Sequence, residues 1–257
     1  MTLTRPDLSQ RRTFSKSAYN TWDLCGTKAY FEDNERRPFV PTEKVSFGSA
    51  LDAAIEIAVV GIREGHELYK QDAAILEAIE AVEVRDDLDL PKEELLLAVR
   101  GFRNEVAPKF DLTEVRTQVA IDVDIPGIGP VSGHPDLLLP NPWDVKSSSR
   151  EKALPSVELG LYAIMVERAE GRIVPEAGYM TWVRPKRWVI QHMPITPEVR
   201  RWTWERAARY AAVRRLDPET QKAVAGGPKF DGLCQDCVYA PWNGGGCSIA
   251  FKGGTEA

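Results

Sequence analysis

The sequence has 257 residues, of which 43% are hydrophobic and 28% are charged, a composition typical of a folded globular protein. Its formal net charge of −5 excludes a generally basic protein that coats nucleic acid, so any phosphate contact must use a local patch. The polar residues 1–7 and the lack of about 18 consecutive apolar residues predict a cytoplasmic protein without a membrane span.

Helical patterns fill the first part of the chain. Ser15 is suited to cap the first of these helices. Apolar residues at helical spacing predict four helices, at about residues 15–31, 47–63, 71–84 and 92–107. Together they form a helical N-terminal part, which we expect to extend to about residue 110.

The periodicity then changes to that of strands. Three strands are predicted: Val119–Ile125, Val131–Leu139 and Trp143–Ser147. Further elements follow: a helix from Pro155 to about Glu170, a hairpin of residues 177–184 and 187–194, and a helix over 197–216. This order predicts an α/β fold with a small mixed sheet flanked by helices. We expect one domain over 1–257, with a helical part (1–110), a sheet core (111–195) and a C-terminal helix and cysteine-containing loop (196–257).

The four cysteines are spaced like ligands. Cys234, Cys237 and Cys247 lie close together near one end of the sequence, and Cys25 lies near the other. In a reducing cytosol disulfides are disfavoured, and a Cys-x2-Cys turn presents two thiolates to one ion. The spacing therefore predicts metal ligation, with Cys25 completing a set of four. The alternative is that all four are buried thiols that pack as small hydrophobic side chains.

Two carboxylates and a lysine are predicted to meet at one end of the central hairpin. Reflecting the chain about Asn141 places Asp136 opposite the region of Asp144 to Lys146, and strand alternation directs Asp144 and Lys146 to the same face. Carboxylate oxygens suit Mg²⁺, and the lysine could orient a water or stabilise developing charge. This grouping is typical of phosphodiester hydrolysis. The alternative is a surface hairpin with solvated charges.

These residues carry a resemblance to a known family. Asp136, followed by Asp144-Val145-Lys146, resembles the Asp…(Asp/Glu)-x-Lys core of the PD-(D/E)XK nuclease superfamily. The likeness is to its RecB-like exonuclease branch, which includes CRISPR-associated nucleases and phage recombination exonucleases. It implies a restriction-endonuclease-like core and a metal-dependent DNA nuclease, in particular an exonuclease acting in DNA repair, recombination or CRISPR processing. Asp136, Asp144 and Lys146 would be catalytic, and both aspartates and the Val145 carbonyl would hold Mg²⁺ or Mn²⁺.

The same branch accounts for the cysteines. Its members often carry one N-terminal and three C-terminal cysteines that together bind a 4Fe–4S cluster. The resemblance therefore implies such a cluster on Cys25, Cys234, Cys237 and Cys247.

Two helical motifs of the family are matched in part. The family's Gly-x-x-x-His element corresponds to Gly48 and Asp52, so the resemblance implies Asp52 as a further metal ligand. Glu56 shares a helix face with Asp52, where two carboxylates repel unless a cation lies near them, and it would support the active site or contact DNA. The alternative is that both residues belong to a solvated acidic face. The family's Gln-x-x-x-Tyr element corresponds to Glu158 and Tyr162, which would support the active site or contact DNA.

The implied substrate is DNA, with ends or single strands preferred, in a bacterial, archaeal or phage-infected cell. The implied protein partners are recombination or CRISPR proteins, or a second copy of this chain. Candidate phosphate-binding residues form three patches: Arg184–Arg187; Arg200, Arg201, Arg206, Arg209, Arg214 and Arg215; and Arg11, Arg12, Arg36 and Arg37. Trp182 and Trp188 could stack on bases or pack in the core. Two alternatives to a nuclease are a non-catalytic DNA-binding or assembly protein with this fold, and a zinc-binding interaction protein.

Overall fold

A computed structural model describes residues 14–34 and 41–226, together with residues 237, 239 and 247. The described chain divides into two compact units. The larger unit contains residues 41–120 and 134–201, and the smaller unit contains 14–34, 121–133, 202–226 and the three later residues. The organisation as one nuclease domain stays a prediction.

Helices and strands alternate in the order expected for an α/β protein. The helices are α1 (Lys16–Leu24), α2 (Gly26–Asn34), α3 (Glu43–Glu64), α4 (Leu68–Asp86), α5 (Lys92–Gly101), α6 (Val157–Glu170), α7 (Pro197–Arg214) and α8 (Pro218–Val224). The strands are β1 (Phe14–Ser15), β2 (Arg116–Thr117), β3 (Ile121–Ile125), β4 (Gly129–Gly133), β5 (Leu137–Leu139), β6 (Asn141–Ser148), β7 (Glu176–Val183) and β8 (Arg187–Pro194).

The predicted helices are present, with three corrections to their boundaries. The helix predicted at 15–31 is two helices, because Cys25 takes an extended conformation between α1 and α2. Ser15 caps α1, as predicted, by accepting from the Ala18 N–H at 3.0 Å. The helix predicted at 92–107 leaves α-helical geometry after Gly101 and continues as a π-helical and then a 3₁₀ turn. The helix predicted from Pro155 begins at Val157 because Ser156 is its N-cap, accepting from the Leu159 N–H.

The strand predicted at Val131–Leu139 is wrong as a single element. It is two strands, β4 and β5, which belong to different sheets. The break covers His134, Pro135 and Asp136, where Pro135 has no N–H with which to continue a ladder. As a result, Asp136 stands immediately before β5 rather than inside a continuous strand.

A five-stranded mixed sheet organises the larger unit. Its order is β2-β5-β6-β7-β8, and only the β6–β7 pair is parallel. α6 connects that parallel pair, while α3, α5 and α6 pack against the sheet. The predicted α/β class, with a small mixed sheet flanked by helices, is confirmed. The predicted hairpin is β7 and β8.

The core of the larger unit lies between this sheet and its helices. α3 contributes Phe47, Leu51 and Ile55, each at most 1% exposed, and β6 contributes Trp143. Gly178 on β7 makes room for that tryptophan, because a Cβ at this position would lie 2.2 Å from the Trp143 ring. α3 is long and apolar enough to cross a bilayer by length and composition, but half of its most apolar window is buried inside the protein. We therefore regard α3 as a core helix.

The smaller unit has its own three-stranded sheet, in the order β1-β4-β3. β1 runs parallel to β4, and β3 and β4 form an antiparallel hairpin. Trp22 of α1 stacks on Tyr210 of α7, with ring centroids 5.2 Å apart. These contacts bring segments that are far apart in sequence into one compact body.

Candidate active site and cysteine group

Asp136 is held against β6 by hydrogen bonds from two directions. The β5–β6 register sets Leu137 opposite Trp143, so that Asp136 falls beside Asp144. Asp136 Oδ2 accepts from the Val145 N–H at 2.7 Å, and Oδ1 accepts from Gln118 Nε2 at 3.3 Å. The Gln118 N–H also donates to the Asp136 carbonyl at 3.1 Å. Gln118 has a φ of +46°, a conformation that is uncommon for a residue with a side chain.

Asp144 and Lys146 point to the same side of β6, as the strand pattern predicts. Lys146 Nζ lies 2.5 Å from Asp144 Oδ2 and 3.6 Å from Glu158 Oε1. Asp144 is 1% exposed. Burial by itself lowers the pKa of Lys146, but Asp144, Glu158 and Asp136 together raise it well above the ordinary value of a lysine. Three carboxyl groups therefore act electrostatically on the Lys146 ammonium, and that of Asp144 forms the shorter of its two ion pairs.

Glu158 is held from its other side by a tyrosine on the neighbouring strand. Tyr179 of β7 lies opposite Asp144 in the β6–β7 register and donates to Glu158 Oε2 at 2.9 Å. Its hydroxyl also lies 2.6 Å from Ser156 Oγ. Burial, followed by the charges of Glu158 and Asp144, raises the pKa of Tyr179, so its hydroxyl keeps its proton. Ser156, Tyr179, Glu158, Lys146 and Asp144 thus form a continuous polar chain.

Three further residues predicted at the active site, Tyr162, Asp52 and Glu56, also lie in the larger unit. Tyr162 is buried on α6 and donates to the His134 carbonyl at 2.6 Å, which anchors the segment that leads into Asp136. Asp52 is half-buried on α3, and α3 packs against β6. Glu56 accepts from Thr117 Oγ1 on β2 at 2.9 Å. Glu56 thus links α3 to the sheet through β2.

The donor set is suited to a divalent cation by ligand type. Asp136, Asp144 and Glu158 supply three carboxyl groups that all act electrostatically on the Lys146 ammonium. Carboxylate oxygens are the ligands that Mg²⁺ and Mn²⁺ prefer. In the part of the chain that the structure describes, no three His, Cys, Asp or Glu side chains are grouped so as to hold a metal ion.

The smaller unit brings together three of the four cysteines. Cys25 interacts electrostatically with Cys237 and Cys247, although more than two hundred residues separate them in sequence. Burial is the largest of the effects that raise the pKa of Cys25, and the other two thiols raise it further. Cys234 lies outside the described residues.

Local packing explains why these cysteines meet. Gly26 begins α2 directly against the chain at Gly226, where a Cβ would lie 2.9 Å from the Gly226 nitrogen. Thr27 donates its N–H to the Gly226 carbonyl at 3.1 Å. Phe31 of α2 packs on Tyr239 with centroids 5.2 Å apart, and the Cys247 N–H donates to the Tyr239 carbonyl. The segment from Cys25 to Phe31 therefore packs against described residues about two hundred positions later in the sequence, among them Gly226 and Tyr239.

The proposed DNA-binding patches are largely engaged in structural contacts where they are described. Arg184 pairs with Glu94 and Glu43, and Arg200 pairs with Glu167. Trp182 and Trp188 are buried and donate to Glu94 and to the Ala98 carbonyl, so they pack in the core rather than present a face to bases. Arg206 pairs with Asp23. Arg11, Arg12, Arg36 and Arg37 lie outside the described residues.

Sequence reasoning missed several residues that hold the site in place. Gln118, Ser156 and Tyr179 make the contacts described above, but each is a common residue type in an unremarkable local pattern. The role of Ser156 as the N-cap of α6 could have been inferred from its position before an apolar helix. No local signal identifies the other two.

Solved structures of other proteins show a similar fold. No protein-family model and no curated protein matches the chain. The solved structure of a "Putative exonuclease" from Eubacterium rectale is similar to this protein, with 13% sequence identity and a TM-score of 0.57. The similarity covers 95% of the present chain and 94% of the Eubacterium rectale chain. The solved structure of SSO0001 is similar over 83% of this chain and 91% of that one, with 16% identity and a TM-score of 0.35. The chain therefore shares the fold of the Eubacterium rectale protein.

Proposed function

We propose that this protein is a metal-dependent DNA nuclease of the PD-(D/E)XK type. The observation that carries the proposal is the convergence of Asp136, Asp144 and Lys146 at one end of the β5–β6 hairpin, with Glu158 beside them. The name of the Eubacterium rectale protein supports exonuclease action in particular. DNA is the proposed substrate, with ends or single strands as the preferred form.

Each residue has a distinct part in this proposal. Asp136 and Asp144, with the Val145 carbonyl and Asp52, would hold Mg²⁺ or Mn²⁺. When bound, such an ion would supply Lewis-acid activation of water and would neutralise charge on the phosphate. Lys146 donates hydrogen bonds to the attacking water or to the phosphate oxygens, and Asp144 holds its ammonium in place.

Glu158 and Tyr162 support the catalytic group without reacting. Glu158, 3.6 Å from the Lys146 ammonium, restricts its position together with Asp144, and the hydrogen bond from Tyr162 fixes the chain at His134. Glu56, held by Thr117, adds negative charge to the face of α3 that carries Asp52. These contacts keep the catalytic side chains in one geometry before DNA binds, so that less ordering is needed during reaction.

We further propose that Cys25, Cys234, Cys237 and Cys247 bind a 4Fe–4S cluster. The meeting of Cys25 with Cys237 and Cys247 supports this, and thiolates are the ligands such clusters use. The cluster would join segments distant in sequence and so stabilise the fold. A cytoplasmic location, a second copy of this chain, and recombination or CRISPR proteins as partners remain part of the proposal.

Digestion of end-labelled linear and circular DNA tests the nuclease assignment. The native protein should degrade linear DNA with Mg²⁺ or Mn²⁺ and not with EDTA. Asp144→Asn and Lys146→Ala should be folded, bind DNA and lose at least a hundred-fold in rate, roughly the loss seen when a group that stabilises the transition state is removed. Digestion of the linear form alone identifies an exonuclease.

The control is Lys109→Met, which removes an exposed lysine from the 3₁₀ turn after α5. It should digest DNA like the native protein. Native activity in Asp144→Asn would contradict the proposal, and DNA binding without any digestion by the native chain would favour the non-catalytic alternative.

A further inference from the structure

Thr181 of β7 lies on the face of the sheet that carries the candidate active site. It is opposite Lys146 in the parallel β6–β7 register, two positions beyond the pair of Asp144 and Tyr179. Paired residues of adjacent strands direct their side chains to the same face, and alternate residues of one strand share a face. Lys146 and Tyr179 both contact Glu158 of α6. Thr181 therefore stands next to Lys146 on the α6 side of the sheet.

The segment between β6 and α6 covers this face. Gln191 of β8, which is opposite Tyr179, accepts from the Lys152 N–H at 3.0 Å and donates to the Lys152 carbonyl at 2.8 Å. The segment that follows β6 is thus tied to the strand on the far side of β7. Thr181, on β7, is 0% exposed.

The hydroxyl of Thr181 is not used by the fold. Within the described residues, its Oγ1 has no hydrogen-bond partner. A buried polar group without a partner is destabilising, and most buried polar groups in folded proteins have one. A valine would fill the same space without this cost. The hydroxyl therefore indicates a role other than stabilising the fold.

The Lys146 ammonium has a donor to spare for this hydroxyl. Its nitrogen lies 2.5 Å from Asp144 Oδ2 and 3.6 Å from Glu158 Oε1. An ammonium carries three N–H donors, so two ion-pair partners leave one donor for a further acceptor.

The proposed function makes a further acceptor necessary, because it assigns Asp144 to a divalent ion. An Asp144 carboxylate bound to Mg²⁺ or Mn²⁺ would hold the Lys146 ammonium less strongly, since the two cations repel each other. A hydroxyl can accept from the ammonium without adding charge to the site. Thr181 is suited to this because β7 is held between β6 and β8, which fixes its backbone.

We propose that Thr181 is a positioning residue that provides a second anchor for Lys146. Its Oγ1 accepts a hydrogen bond from the Lys146 ammonium when Asp144 is bound to a divalent ion, and it keeps the ammonium beside the scissile phosphate. This inference rests on the proposed function, and in particular on a metal site at Asp144.

Thermal unfolding in a titration with Mn²⁺ tests the anchor without relying on activity. Thr181→Val removes the hydroxyl and keeps the shape of the side chain. In EDTA this variant should be at least as stable as the native protein, since an unpartnered buried hydroxyl is lost. The Mn²⁺ concentration that gives half of the thermal shift should rise about ten-fold, the effect of one hydrogen bond to a charged group. Thr181→Ser, which keeps a hydroxyl, should recover most of this loss.

Digestion kinetics at saturating Mn²⁺ provide the second measurement. In Thr181→Val, kcat should fall about ten-fold while KM for DNA stays nearly constant, because Lys146 is less well placed in the transition state. The matched control is Thr203→Val. Thr203 is also 0% exposed, with an Oγ1 that has no partner among the described residues, but it lies on α7 in the smaller unit. The control should have the native Mn²⁺ titration and the native kcat.

The outcomes separate the anchor from the nuclease assignment. If Thr181→Val has the Mn²⁺ titration and kcat of Thr203→Val, the anchor is overturned, while digestion by the native protein still supports the nuclease. If the native protein binds Mn²⁺ but does not digest DNA, the nuclease is overturned and the Mn²⁺ titration decides the anchor. If it neither binds Mn²⁺ nor digests DNA, both fall together. If Thr181→Val does not fold, Thr181→Ala, which also lacks the hydroxyl, replaces it in both measurements.

Discussion

The two oxygens of Glu158 serve different partners, since Oε1 faces the Lys146 ammonium at 3.6 Å and Oε2 accepts from Tyr179 at 2.9 Å. A buried carboxylate is stable only when donors surround it. Tyr179 is therefore a positioning residue: it fixes Glu158, and Glu158 in turn limits where Lys146 can lie. The proposed catalytic group depends in this way on a strand to which the proposal assigns no catalytic side chain.

Tyr179→Phe should test this indirect role. The change removes one donor to a buried carboxylate, which costs roughly 1–3 kcal/mol in stability. Because Lys146 is then less well placed, kcat should fall about ten-fold while KM for DNA stays nearly constant, the pattern expected when an interaction of the transition state is weakened. Steady-state digestion kinetics and thermal unfolding measure the two effects.

The exposed Tyr69→Phe is the matched control and should change neither quantity. A Tyr179→Phe protein with lowered stability and native kcat would show that the tyrosine is only structural.

At the scale of elements, one ion pair joins the β7–β8 hairpin to two helices. Arg184, at the hairpin tip, donates to Glu94 of α5 at 2.7 and 2.9 Å, and its guanidinium lies over the Phe47 ring of α3 at 3.9 Å. Trp182 adds a third donor to Glu94. Arg184 therefore holds the hairpin tip against α3 and α5.

This pair predicts a pH dependence of stability. The hydrogen bond from Arg184 is the main cause that lowers the pKa of Glu94 from its ordinary value of 4.5. A carboxyl whose pKa is lower in the folded state stabilises the protein above its unfolded pKa, and this contribution is lost as the pH falls through the folded value. Glu94→Gln should thus reduce the free energy of unfolding by about 1–3 kcal/mol at neutral pH. The difference from the native protein should vanish below the folded pKa.

Thermal unfolding of both proteins between neutral and acid pH measures this effect. The exposed Glu93→Gln on the same helix is the control. A constant difference between Glu94→Gln and the native protein at every pH would contradict the assignment.

At the scale of the whole molecule, the cysteines connect parts of the chain that are remote in sequence. Cys25 meets Cys237 and Cys247 because α2 packs on the segment at Gly226 and on Tyr239. A ligand shared by these thiols would close a very long loop, and closing a long loop removes chain entropy from the unfolded state.

The Cys25→Ser substitution should therefore affect both the visible colour and the thermal stability of the protein. Anaerobically purified native protein should be brown with broad visible absorbance, and the variant should lose that absorbance and unfold at a lower temperature. Ser17→Ala, at an exposed position of α1, is the control. A colourless native protein that contains zinc would contradict the cluster, and an unchanged melting temperature in Cys25→Ser would contradict its structural role.

The α/β class, the central hairpin and the grouping of Asp136, Asp144 and Lys146 could be predicted from the sequence. These features follow from periodicity and short spacings, because strand alternation and a tight turn act over only a few residues. Even so, the sequence placed β4 and β5 in one strand, since apolar periodicity does not reveal that two neighbouring strands pair in different sheets.

The side chains that support the site, and the charged groups that already have partners, became evident from the three-dimensional contacts. Tyr179 reaches Glu158 through the pairing of β6 with β7, and Lys152 is fixed by Gln191 of β8. Arg184 and Trp182 looked suited to DNA but are held by Glu94. Contacts of this kind join residues far apart along the chain, and their energies depend on burial and on the partner present, neither of which a local pattern contains.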